Sequence, residues 1–173
     1  MKNNRTEKHA GIWIVLVMCC LLFVSCGYRL VGSRLLPFNS ITIQPVKNNT
    51  YEPRLVERMN IALSKEFINQ GIEIKSSGGD ADLETTITEF AVGAIGAVDE
   101  TVKEQEIIMY ADLKLTSDGK VTEFKSIISP IKITFQTTGT VSQAAALKEV
   151  STEKACREIA REIVSRVIIE YAK

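Results

Sequence analysis

The stretch Ile107-Ile108-Met109-Tyr110-Ala111-Asp112-Leu113-Lys114-Leu115-Thr116-Ser117-Asp118-Gly119-Lys120-Val121 decides how this chain folds. Ile107, Met109, Ala111, Leu113 and Leu115 alternate with Ile108, Tyr110, Asp112 and Lys114. A period of two puts one set on each face of a strand, so this is a half-buried strand. Asp118-Gly119 follows at once, and such a pair accepts the positive φ angles of a tight hairpin turn. The return strand is expected over Val121 to Gln136. Pro130 interrupts it, which implies a bulge or an edge position, because proline cannot donate to a ladder.

Upstream, Ser40-Ile41-Thr42-Ile43-Gln44 has the same alternation and stops at Pro45. Asn48-Asn49-Thr50 is a turn cluster. Pro53 suits the first turn of a helix. Leu55, Val56, Met59, Ala62, Leu63 and Phe67 then recur at three- and four-residue steps, which lines one helical face. Gly71 suits the left-handed residue that closes a helix. Ile72 to Lys75 is a short strand. Ala81 to Val92 is rich in threonine, with Leu83, Thr85 and Ile87 on one side, so it too is a strand. Gly93-Ala94-Ile95-Gly96 is expected to begin a flexible connection ending near Lys103. Past a loop at 137–142, Ser142 can cap a last helix reaching about Tyr171. Its core face is Cys156, Ile159, Ala160, Ile163, Val164, Val167 and Ile168. The order strand, helix, several strands, helix predicts an α+β fold. Both helices pack on one face of a sheet, and the other face is left to solvent or a partner.

The amino terminus reads as an address. Lys2, Arg5 and Lys8 precede an apolar run of 13 residues, Ile12 to Val24. A bilayer-spanning helix needs about 20 residues, so the run is a signal peptide. It ends Phe23-Val24-Ser25-Cys26, a small residue directly before a cysteine, which resembles a bacterial lipobox. Cleavage there removes residues 1–25 and leaves Cys26 to carry the acyl chains. Several chains together make detachment negligible. Residues 26–173 then form a single α+β domain, with 26–39 as an N-terminal tether and short strand.

The whole chain has 173 residues, 45% hydrophobic and 24% charged, with a formal net charge of zero. The segment 26–173 keeps 18 basic and 20 acidic residues. That balance argues against a nucleic-acid binder. The one histidine, His9, falls in the signal peptide. The mature chain therefore has no imidazole for a catalytic triad or a zinc site. There is no Cys-x-x-Cys pair, and Cys156 reads as a small core residue. Asp80 with Asp82, Asp99 with Glu100, and Glu104 with Glu106 lack EF-hand spacing and read as solvated charge. No catalytic residue, metal site or cofactor is expected. Lys120, at the hairpin tip, with Lys114 and Lys125 on its strands, is the basic cluster able to meet phosphate. Lys103 and Lys132 could enlarge it.

Cys26-Gly27-Tyr28-Arg29-Leu30 resembles the mature start of the LptE family of lipopolysaccharide-assembly lipoproteins. Ile41-Thr42-Ile43, the turn at Asn48-Asn49-Thr50 and Tyr51-Glu52-Pro53 continue the resemblance. Asp80-Ala81-Asp82-Leu83 leading to Thr88-Glu89-Phe90, and the late amphipathic helix, complete it. The resemblance implies two helices on a mixed four-stranded sheet. It implies a lipid-anchored protein on the periplasmic side of the outer membrane. It also implies a partner, a large outer-membrane β-barrel translocon that the protein plugs and helps assemble, and a role in delivering lipopolysaccharide to the cell surface. Lys120, Lys114 and Lys125 are the residues expected to meet lipopolysaccharide phosphate. The alternative is an outer-membrane lipoprotein adaptor of another envelope complex, without glycolipid binding.

Overall fold

A computed structural model describes residues 36–99, 102–129, 131–137 and 139–171. The strands are β1 (Ser40–Ile43), β2 (Lys47–Asn48), β3 (Glu73–Lys75), β4 (Ala81–Asp99), β5 (Val102–Ser117), β6 (Lys120–Ile128) and β7 (Ile133–Thr137). The helices are α1 (Leu55–Asn69), between β2 and β3, and α2 (Val141–Tyr171), after β7. The described residues all belong to one unit, Gly32–Lys173.

The strand order is β3-β1-β4-β5-β6, with β2 also on β4 and β7 also on β5. β1 runs parallel to both β3 and β4, and β4, β5 and β6 are antiparallel neighbours. The fold is α+β on a mixed sheet, as expected. The sheet has seven strands rather than about four, since the return strand divides and a two-residue strand, β2, forms on β4 where a turn was expected. The segment from Gly93 is no flexible connection: β4 continues to Asp99 and β5 begins at Val102, so the two form one long hairpin. Its small residues still satisfy their backbone groups in the ladder, and that outweighs their weak strand propensity. In the divided return strand, β6 pairs with Tyr110–Ser117, and β7 pairs with Lys103–Ile107. Pro130, between them, lies outside the described residues. Within 26–39, Leu36–Asn39 form no strand, and the remainder is not described.

The apolar stripes meet as the periodicity requires. Leu55, Met59, Leu63 and Phe67 of α1 are fully buried, as are Cys156, Ile159, Ala160, Ile163 and Val167 of α2. Val56 is 37% exposed, so it belongs to the outer surface of α1. Ile41, Leu83, Ile87, Ala111, Leu113 and Leu115 supply the sheet side of the core. Thr85 shares that face, and its buried hydroxyl has no hydrogen-bond partner.

The helix ends differ from expectation in detail. α1 starts after Pro53, and Arg54, at φ 62°, precedes the first helical residue without a side-chain cap. Gly71, at φ 78°, closes α1: its N–H donates to Ile68 O, and Ile72 N–H reaches Phe67 O. The cap of α2 is Thr140, not Ser142. Thr140 N–H donates to Gln143 Oε1 at 2.8 Å, and Gln143 N–H donates to Thr140 Oγ1 at 3.3 Å. This is a capping box, in which Gln143 lies three residues on and can return the bond.

Candidate functional site

The start of β1, the start of β4 and the β5–β6 turn lie at one end of the sheet. Ile41 pairs with Ala81, Ala81 with Ser117, and Ser117 with Lys120. The chain enters the described fold here, and α2 finishes here. Asp80 locks this entry end. Its carboxylate accepts the N–H groups of Asn39 and Ser40, both at 3.0 Å, and its own N–H donates to Ser40 Oγ at 3.1 Å. The Asn39 N–H is the main cause that holds the Asp80 carboxyl below its ordinary value, with Ser40 adding to it. A Cβ on Gly79 would lie 2.7 Å from Thr42 N, so only glycine allows this close approach.

The turn carries Asp118 at φ 51° and Gly119 at φ 75°, the double positive φ expected of Asp-Gly in a two-residue hairpin. Lys120 leaves the turn on the helix side of the sheet. Its ammonium lies 5.2 Å from the ring centroid of Tyr171 and 3.8 Å from Glu170 Oε1. Tyr171 is itself held: its hydroxyl shares a hydrogen bond with Thr122 Oγ1 at 3.1 Å, and its ring meets Phe38 edge-on at 5.9 Å. The last residues of α2 thus position Lys120, while its side chain remains 62% exposed.

Lys114 and Lys125 lie on the opposite, open face. Lys114 alternates with buried Leu113 and Leu115 and is registered with Glu123. Its ammonium is 2.9 Å from Glu84, which also meets Lys47 at 3.5 Å. The Lys114 hydrogen bond holds the Glu84 carboxyl below its ordinary value and raises Lys114. Lys125 is 3.9 Å from Glu123. The three lysines therefore do not form one patch: two sit in a ladder of alternating charge and one at the entry end. Lys132 lies beyond the other end of β6, 3.3 Å from Glu106.

Sequence reasoning passed over a second feature, the groove between the outer sides of α1 and α2. It holds about 480 Å³, with Ile61, Ala62 and Val150 among its apolar lining. Arg54 and Arg58 both bind Glu149 Oε1, at 2.7 and 2.5 Å. Arg54 immediately precedes α1 and Arg58 lies in its first turn. Nothing local could show a carboxylate 91 residues beyond Arg58. Cys156 is fully buried, and burial pushes its thiol up to about 12, so it stays protonated and unreactive. Among the described residues no group of acidic, histidine or cysteine side chains could hold a metal, and no helix is long and apolar enough to cross a membrane. Cys26 lies outside the described residues.

No curated protein matches the chain. Solved structures match its fold. The rare lipoprotein B of Shewanella oneidensis superposes with a TM-score of 0.53 at 15% identity, over 76% of this chain and 96% of that one. A protein from Xanthomonas campestris does so with a TM-score of 0.50 at 14% identity, over 78% and 87%. The family model LptE, described as lipopolysaccharide-assembly, matches residues 38–167, from the first buried aromatic to the last fully buried turn of α2. The chain belongs to the LptE family of lipopolysaccharide-assembly lipoproteins.

Proposed function

We propose that the protein is a non-catalytic outer-membrane lipoprotein, anchored through acylated Cys26, that plugs a β-barrel lipopolysaccharide translocon and helps it assemble. The observation that carries this reading is the family match over 38–167. Two features of the geometry support it. The open sheet face presents Glu84, Lys114, Glu123 and Lys125 in alternating sign. A polar face of this kind suits the polar lumen of a large barrel. The Asp118–Gly119 turn also lies at the end of the sheet where the described residues begin, which suits an anchor that precedes them.

Lys120 is the proposed phosphate contact, since its exposed ammonium is fixed by Tyr171 rather than free to swing. Lys114 and Lys125 are secondary contacts on the open face, away from the turn. The test is a mild-detergent pull-down of tagged full-length protein from outer membranes. A stoichiometric, heat-modifiable β-barrel is the expected result. A protein that reaches the outer membrane and comes out alone would overturn the plug. Charge reversal, Lys120→Glu, should weaken binding of purified lipopolysaccharide. Unchanged binding would remove Lys120 from the site.

A further inference from the structure

The far half of β4 has one open edge. β1 pairs with β4 at Ala81–Asp82–Leu83, and β2 pairs at Thr86–Ile87. Asn49 N–H on Ile87 O, at 3.0 Å, is the last bond on that edge among the described residues. Beyond it, among the described residues, only β5 pairs with β4. The register Glu89↔Tyr110 to Ala94↔Gln105 is unbroken, and irregularities bound it on both sides. Six residues in regular register is an ordinary strand length.

Exposed sheet edges attract other strands, and proteins guard them with charge, bulges or brevity. Of the other edges, those of β6 and β3 are guarded. β6 carries Lys120, Glu123 and Lys125 and bends at Ser126, which has φ 52°. β3 has three residues with a charge at each end. By contrast Phe90-Ala91-Val92-Gly93-Ala94 contains no charge at all. Val92 is 37% exposed, and a Cβ on Gly93 would meet nothing within 4 Å. Over the same part of the sheet Lys148 of α2 lies 5.8 Å from the Phe90 ring centroid, yet no residue from Val141 to Val150 is buried. The edge has no partner strand among the described residues, and the helix above it buries none of its first ten residues.

We infer that the β4 edge at Glu89–Ala94 accepts an added β-strand from another protein, an extended apolar segment flanked by basic residues. Strand addition fits because backbone hydrogen bonds supply the affinity while alternate side chains meet the two faces. Charge selects the occupant. Residues 89–106 contain Glu89, Asp99, Glu100, Glu104 and Glu106 against the single base Lys103. A second copy would bring two acidic hairpins together; a strand with lysine or arginine at its ends is complementary. This inference does not depend on glycolipid binding.

The test uses the full chain in detergent and a synthetic probe: an alternating valine–threonine run with lysines at both ends. Hydrogen exchange read by mass spectrometry reports on the amides of 88–95. The expected result is exchange slowed about tenfold in that segment, with 120–128 unchanged. The same peptide N-methylated at alternate backbone nitrogens should give no protection, and a glutamate-flanked version much less. Ala94→Lys should abolish protection while the circular dichroism spectrum stays native. Equal protection by the N-methylated peptide, protection at 120–128 instead, or no protection at all would overturn strand addition. Concentration-dependent protection without peptide, with a dimer in sedimentation, would overturn the choice of a foreign strand.

Discussion

The ammonium of Lys120 stands 5.2 Å from the ring centroid of Tyr171, a contact between residues that lie on a hairpin tip and at the end of a helix. Tyr171 also bonds Thr122 and meets Phe38, so one ring ties α2, β6 and the entering chain together. Tyr171→Ala should cost about 2 kcal/mol in urea unfolding, from lost aromatic contact, hydrogen bond and packing. Tyr171→Phe removes the hydroxyl alone and should cost about 1 kcal/mol. If Lys120 meets phosphate, Tyr171→Ala should also weaken lipopolysaccharide binding, and Tyr171→Phe should spare it.

Asp80 predicts a pH dependence. Its carboxyl is held below its ordinary value in the fold, so the charged form is the one the Asn39 and Ser40 N–H groups stabilise. That stability is complete above the unfolded value, about pH 3.9, and is lost as pH falls through the folded one. Asp80→Asn should therefore lower the unfolding midpoint at pH 7, and the gap from the parent should close below about pH 4. A gap constant down to pH 2 would assign the effect to shape rather than charge.

Thr85→Val should stabilise the protein. The hydroxyl is buried without a partner, so its desolvation is not offset. Replacing it by a methyl group of similar size should raise stability by about 1 kcal/mol in chemical denaturation.

Gly79→Ala and Gly93→Ala should move in opposite directions. At Gly79 the added methyl meets the backbone of Thr42 and Ile41, which has no rotamer to change, and the cost should be about 2 kcal/mol. At Gly93 it meets open space and φ is not in the left-handed region, so a gain of roughly 0.5 kcal/mol is expected from the unfolded state. Thermal or urea melts of the two variants decide this.

Cys156 should resist alkylation. With the thiol fully buried and raised to about 12, iodoacetamide at pH 8 should leave the native protein unmodified at this position. Labelling should follow addition of urea. Fast labelling of the native protein would show that α2 does not pack as described.

The periodic segments were legible because periodicity is local. Ile107 to Leu115, Leu55 to Phe67 and Cys156 to Val167 each declare a buried face without reference to any other part of the chain. The Asp118–Gly119 turn was legible for the same reason, since its φ angles are a property of two residues. The run Gly93 to Lys103 was not. Glycine and alanine signal little by themselves, and the strand exists because Glu104, Gln105 and Glu106 pair with Gly96, Ala94 and Gly93. Ser142 was read as the cap because it precedes a helical pattern, but α2 begins two residues earlier, where Thr140 and Gln143 bond each other.

The candidate site divides in the same way. Residue types alone left residues 26–173 without a histidine and marked Lys120, Lys114 and Lys125 as the basic candidates. Whether they could act together depended on which sheet face each one took. The structure separates them, because Ser117 and Lys120 are paired on the helix side while Lys114 and Glu123 are paired on the other. The amino-acid order by itself determined the α+β class, the apolar faces and the turn, all consequences of local periodicity and composition. Only the tertiary structure decided the seven-stranded sheet, the meeting of Lys120 with Tyr171 and the open edge of β4. Each of those depends on pairing between segments far apart in the chain, and pairing is settled by which arrangement satisfies the most backbone groups while burying the most apolar surface.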